Sequence, residues 1–137
     1  MTYTITNAVR GGLLAAAILV AGAAPVQASH QHTFSGDWLY LTVTHGDGRS
    51  GDMRGTLLLC DPPQGHTRAA EACEQLAAVD GHFERIPPMA AICPMIYAPV
   101  TAHARGTWHG KPVRYTRTFS NSCEMATLTG PVFALDG

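Results

Sequence analysis

Lysine is nearly absent from this 137-residue chain: Lys111 stands alone, and no run of basic residues occurs. Nine Lys and Arg face ten Asp and Glu, for a formal net charge of −1. Phosphate binding needs a basic face and the counterion release that comes with it, so the composition excludes a nucleic-acid partner. Charged residues of either sign are scarce, 14% against about 25% in ordinary globular chains. Hydrophobic content is nevertheless a normal 46%, so the deficit does not mark disorder. Catalytic signatures are missing too. The chain has no Gly-x-Ser-x-Gly elbow, no His-Glu-x-x-His and no P-loop. Its histidines at 45, 66, 82, 103 and 109 share no spacing, and the acidic residues give no sign of a cleft. These absences argue against an enzyme.

What is present begins with a leader. A polar start ending at Arg10, an apolar run from Gly11 to Ala24, and Pro25 before Val26-Gln27-Ala28 form the pattern of a secretory signal peptide. The small residues place cleavage after Ala28, with Ala24 as second choice, which predicts an exported, extracellular chain. About 14 apolar residues are too few for a transmembrane helix, which needs about 20, so no membrane anchor is expected after processing. Residues 29–37 read as a flexible tail and 38–137 as one domain. His30-x-His32 in the tail has no third ligand nearby and predicts no metal site.

Four cysteines, Cys60, Cys73, Cys93 and Cys123, suit two disulfides in an oxidising compartment. Three pairings are open. Zinc is disfavoured, because no Cys-x-x-C and no Cys/His pair occurs.

Trp38 to His45 alternates, with Leu39, Leu41 and Val43 on one face, and predicts a half-buried strand. Gly46 to Gly51 is a loop, and Thr56 to Cys60 returns as an antiparallel partner. Thr67 is the expected N-cap of a helix whose Ala69, Ala72, Cys73 and Leu76 recur at i, i+3, i+4 and i+7, ending near Asp80-Gly81. A bridge from Cys73 to Cys60 would staple that helix to the sheet. Val100 to Trp108 and Val113 to Phe119 form a hairpin around His109-Gly110-Lys111-Pro112, Ser120 to Met125 a short helical turn, and Pro131 to Leu135 a last edge strand.

The unusual words are Ile92-Cys93-Pro94-Met95-Ile96-Tyr97-Ala98-Pro99. Two prolines exclude helix and bias the backbone toward extended geometry. A half-cystine ties down one end. A stiff, extended, apolar segment is what a protease binds, since substrates dock by strand addition. A buried strand with a proline at its edge is the competing reading.

Cys93 to Val100, Gly106-Thr107-Trp108-His109-Gly110-Lys111-Pro112-Val113, Phe119 to Met125, Glu71 to Val79 and Val132 to Leu135 together resemble the Streptomyces subtilisin inhibitor family, in a likeness running from Leu39 to Leu135. The resemblance implies an α+β fold, one antiparallel sheet of about five strands with two helices packed on one side, and cysteines bridged to their neighbours in sequence. It implies a secreted, homodimeric inhibitor of extracellular serine proteases that needs no cofactor. The family's Cys-Pro-x pattern puts the reactive bond at Met95-Ile96, with Ile92, Cys93, Pro94 and Tyr97 contacting the protease. Met95 suits the apolar specificity pockets of subtilisin-like, then chymotrypsin-like, enzymes. Asn121, set near the loop by Cys123, is either a hydrogen-bond support of the loop or the cap of the following turn. Glu124 and Met125 are assigned structural roles. Family likeness does not fix the partner, so a secreted metalloprotease as target, a transglutaminase that takes the chain as substrate, and an inactive structural module remain the alternatives.

Overall fold

The computed structural model describes residues 34–46 and 52–136. The leader, the first part of the tail with His30 and His32, and most of the Gly46–Gly51 loop lie outside the described residues. Strand β1 (Trp38–His45) is central because its alternation offers an apolar face: Leu39, Leu41 and Val43 are buried. It pairs antiparallel with β2 (Met53–Cys60) on one side and β4 (Val100–Trp108) on the other. A two-residue strand, β3 (Pro63–Gln64), extends β2, and β5 (Lys111–Phe119) extends β4, giving the order β3-β2-β1-β4-β5. Gly106 lies opposite Leu39, and an added Cβ would stand 2.1 Å from the Trp38 carbonyl oxygen, so only glycine fits.

The β4–β5 turn is tighter than the sequence predicts. Trp108 already pairs with Lys111, leaving His109 and Gly110 as a two-residue loop with φ of 46° and 73°. Two positive φ values match the twist of the flanking strands.

Helix α1 (Ala69–Ala78) buries Ala69, Ala72, Cys73 and Leu76, the four positions the periodicity marks. Its N-cap is Arg68 rather than the expected Thr67, and no side chain of the cap residue closes it. His66 does that work instead: Nδ1 accepts the Arg68 N–H at 2.9 Å. Helix α2 (Ser122–Thr129) outgrows the short turn expected around Cys123. Its threonines are accommodated because Thr127 and Thr129 donate hydroxyl hydrogen bonds to the carbonyls of Cys123 and Met125. Gly130, at φ 57°, stops it. The expected edge strand at 131–135 is absent. Pro131 sits in the first turn of a 3-10 helix (Gly130–Phe133), where its fixed φ suits helical geometry. That turn drives Val132 and Phe133 into the core instead of laying them along a sheet edge.

Both helices cover the Leu39–Leu41–Val43 face of the sheet. Leu58, Ala102, Ala104, Tyr115 and Phe119 complete that layer, with Phe83 stacked on Tyr115 at 4.6 Å. Cys60 is bonded to Cys73 and Cys93 to Cys123, so no free thiol remains. The fold is thus a single five-stranded antiparallel sheet with two helices and two disulfides. No helix among the described residues is long and apolar enough to cross a membrane.

Candidate functional site

Between buried Ile86 and buried Val100 the chain has no regular secondary structure. Pro87, Pro88, Pro94 and Pro99 each lack an N–H, so no ladder could use this stretch fully. Its large apolar side chains point to solvent: Ile92 is 101% exposed, Met95 104%, Tyr97 82% and Ile96 61%. Leaving each in water forgoes about 1.5–3 kcal/mol of burial. Contiguous exposed apolar surface of this kind marks a binding site on a soluble protein.

The segment is nevertheless held along its length. Met89 N–H donates to the Thr127 carbonyl at 2.9 Å at the entrance. At the exit Ala98 N–H donates to the Ser120 carbonyl at 2.8 Å, and the Pro99 carbonyl accepts from Gly46 N–H at 2.9 Å. In between, the Cys93–Cys123 bridge fastens it to α2. The most telling contact is Asn121, which is buried. Its Nδ2 donates to the carbonyls of Pro94 (3.2 Å) and Ile96 (2.9 Å), and its Oδ1 accepts the Glu124 N–H at 2.9 Å. One side chain therefore caps α2 and grips the loop, so the two alternatives open in the sequence coexist. The gripped carbonyls flank that of Met95, which Asn121 leaves unengaged.

Ile92, Cys93, Pro94, Met95, Ile96 and Tyr97 thus fall on one continuous loop over the N-terminus of α2, with Asn121 beneath it. Sequence reasoning gave Glu124 only a structural part and passed over Ser120. The Glu124 Oε2 accepts from both the N–H (2.7 Å) and the hydroxyl (2.5 Å) of Ser120, whose carbonyl holds Ala98. Those two donors, with Arg117 nearby, hold the Glu124 carboxyl below the usual carboxylate range. A signal was available: Asn121-x-x-Glu124 has the spacing of a capping box. Among the described residues no three His, Cys, Asp or Glu side chains gather as a metal would require.

Residues 35–121 match the subtilisin inhibitor-like family model. A provisionally named serine protease inhibitor of Streptomyces avermitilis is 56% identical over 135 residues, covering 98% of this chain and 90% of its own. The transglutaminase-activating metalloprotease inhibitor of Streptomyces mobaraensis is 38% identical over 112 residues, 77% of this chain and 76% of its own. Among solved structures, Streptomyces caespitosus sermetstatin, in complex with Bacillus licheniformis subtilisin, superposes with a TM-score of 0.58 at 34% identity, over 71% of this chain and 96% of that one. Fold, paired cysteines and sequence agree: this chain belongs to the subtilisin inhibitor-like family, whose members are protease inhibitors and not enzymes.

Proposed function

We propose that the chain is an exported inhibitor of subtilisin-like serine proteases that binds as a substrate does, with Met95-Ile96 as its reactive bond. The observation that carries this reading is the loop itself, an extended apolar segment with its large side chains exposed yet fastened by Cys93–Cys123 and Asn121. Docked by strand addition, it offers Met95 to the apolar specificity pocket and Ile92 to the hydrophobic site three residues upstream, with Tyr97 just beyond the bond. The catalytic serine attacks the Met95 carbonyl, and collapse of the tetrahedral adduct releases the Ile96 amine. That amine cannot leave, because the Ile96 carbonyl is held by Asn121 and Ala98 by Ser120. On the other side the acyl group stays tied through Pro94 and Cys93. Religation then outruns hydrolysis. A loop ordered before docking loses little entropy on binding, so nanomolar or tighter inhibition, about −12 kcal/mol or beyond, is expected.

The leader at residues 1–28 supports export, with the inhibitor domain beginning at Trp38 after the 29–37 tail. The family likeness supports a homodimer. A metalloprotease target is a second reading, favoured by the name of the 38%-identical Streptomyces mobaraensis relative. Titration of a subtilisin, and separately of a secreted metalloprotease, followed by mass spectrometry after long incubation, tests both readings. Stoichiometric inhibition of the subtilisin with slow cleavage at Met95-Ile96 is the expected result. Rapid turnover at that bond, or no inhibition, would overturn the serine-protease reading.

A further inference from the structure

Four methionines lie among the described residues, and they differ sharply in exposure: Met95 104%, Met53 68%, Met89 50% and Met125 6%. No thiol competes with them for an oxidant, since all four cysteines are paired. We propose that Met95 is a reversible oxidation site through which peroxides weaken the inhibitor. The inference rests on the reading of Met95 as the residue that enters the protease's specificity pocket.

The chemistry is a two-electron oxygen transfer. A lone pair of the Met95 thioether sulfur attacks one oxygen of the peroxide, and the O–O bond breaks. With hydrogen peroxide the other oxygen departs as water, so the sulfur is oxidised to sulfoxide and the peroxide is reduced. Neither disulfide takes part. An unbranched apolar side chain becomes polar and chiral, carrying a strong acceptor oxygen. An apolar specificity pocket offers that oxygen no donor, and burying an unpartnered polar group is costly. The loop beneath is unaffected, because its fastenings are backbone carbonyls, Asn121 and the Cys93–Cys123 bridge, none of which involves the Met95 side chain. Oxidation therefore alters the fit while leaving the fold intact. A methionine sulfoxide reductase reverses it: two thiols of the reductase system supply the two electrons and end as a disulfide, and the sulfoxide oxygen leaves as water.

The test treats the purified full chain with limiting hydrogen peroxide, maps sulfoxide by peptide mass spectrometry and measures subtilisin inhibition on the same samples. Met95 is expected to oxidise first, Met53 and Met89 later and Met125 last. Inhibition should weaken about tenfold to a hundredfold in step with the Met95 sulfoxide fraction. Circular dichroism should not change, and a reductase should restore inhibition. A Met53→Leu/Met89→Leu double variant should respond to peroxide as the original chain does. Resistance in that variant would assign the loss elsewhere and overturn the inference, as would an oxidised Met95 form that inhibits undiminished. Failure of the untreated chain to inhibit is a different result: it removes the functional reading and this inference with it.

Discussion

The two disulfides join the same kinds of partner, an extended segment to a helix, yet they serve opposite ends. Cys60–Cys73 links β2 to α1 where Leu58, Ala72 and Leu76 are already fully buried around it. Cys93–Cys123 links α2 to a segment whose Ile92, Met95 and Tyr97 touch almost nothing. In the first region burial fixes the geometry and the bridge adds to it. In the second there is no burial to do so, and a covalent bond with five hydrogen bonds replaces it. A binding loop must keep its apolar side chains free for a partner, so its rigidity has to come from the backbone and from beneath.

Removing each bridge in turn separates the two roles most widely. By loop-closure entropy the 30-residue loop of Cys93–Cys123 is worth about 4 kcal/mol and the 13-residue loop of Cys60–Cys73 about 3 kcal/mol, so both double alanine variants should melt lower by similar amounts. Their inhibition should diverge. Below its melting point the Cys60→Ala/Cys73→Ala protein should hold subtilisin as before. The Cys93→Ala/Cys123→Ala protein should be cleaved at Met95-Ile96 roughly a hundredfold faster, because the released amine is no longer kept in place. Equal cleavage rates in the two, read by mass spectrometry against time, would erase the distinction.

The same contrast governs what can be read from the sequence. Where burial decides, periodicity is a sufficient guide: β1 has the bounds its alternation predicts, and α1 buries the four residues at helical spacing. Where polar contacts decide, it is not. An imidazole two residues upstream of the Arg68 N–H replaces the expected Thr67 cap. The C-terminal apolar run Val132-Phe133-Ala134-Leu135 has strand composition, but Gly130 and Pro131 ahead of it start a 3-10 turn. The disulfide pairing, left open by spacing and implied by resemblance, is sequential. At the site, proline content and a cysteine reveal a stiff loop. The gripping of carbonyls on both sides of Met95 depends on which way Asn121 points, and no local pattern encodes that.

Asn121 allows a finer cut, because its two ends do different work. Asn121→Asp retains the acceptor for Glu124 N–H, so α2 should keep its cap and the loss of stability, about 1–3 kcal/mol, should come from the loop side alone. It has no donors for Pro94 and Ile96, and sets a carboxylate against their carbonyls. Cleavage of the loop should therefore rise about tenfold while α2 stays capped. Asn121→Ala should lose both, adding about 1 kcal/mol of destabilisation for the missing cap. If aspartate proves as good an inhibitor as asparagine, the loop is held by the bridge and the backbone hydrogen bonds at its two ends, without Asn121.

The smallest expected difference is in pH response, where the two regions titrate in separate windows. His66, at the cap of α1, has its pKa pushed below the ordinary 6.5 chiefly by burial, the Val132 backbone opposing and Arg68 assisting. The unfolded chain then binds the proton more readily, so stability is full above 6.5 and declines as pH falls from there to the folded value. Glu124, under the loop, is shifted down by the Ser120 donors, so its contribution is present at neutral pH and lost only as pH falls through a value below the usual carboxylate range. Mild acid should thus weaken the α1 corner while inhibition persists, and only stronger acid should loosen the loop. His66→Gln should flatten the decline of stability below pH 6.5, measured by denaturant unfolding, without altering the inhibition constant. Glu124→Gln should leave that decline in place and remove the later, acid-side rise in loop cleavage. A single shared pH midpoint for unfolding and loop cleavage, unaffected by either substitution, would mean that the loop has no hold of its own and loosens only when the whole fold does.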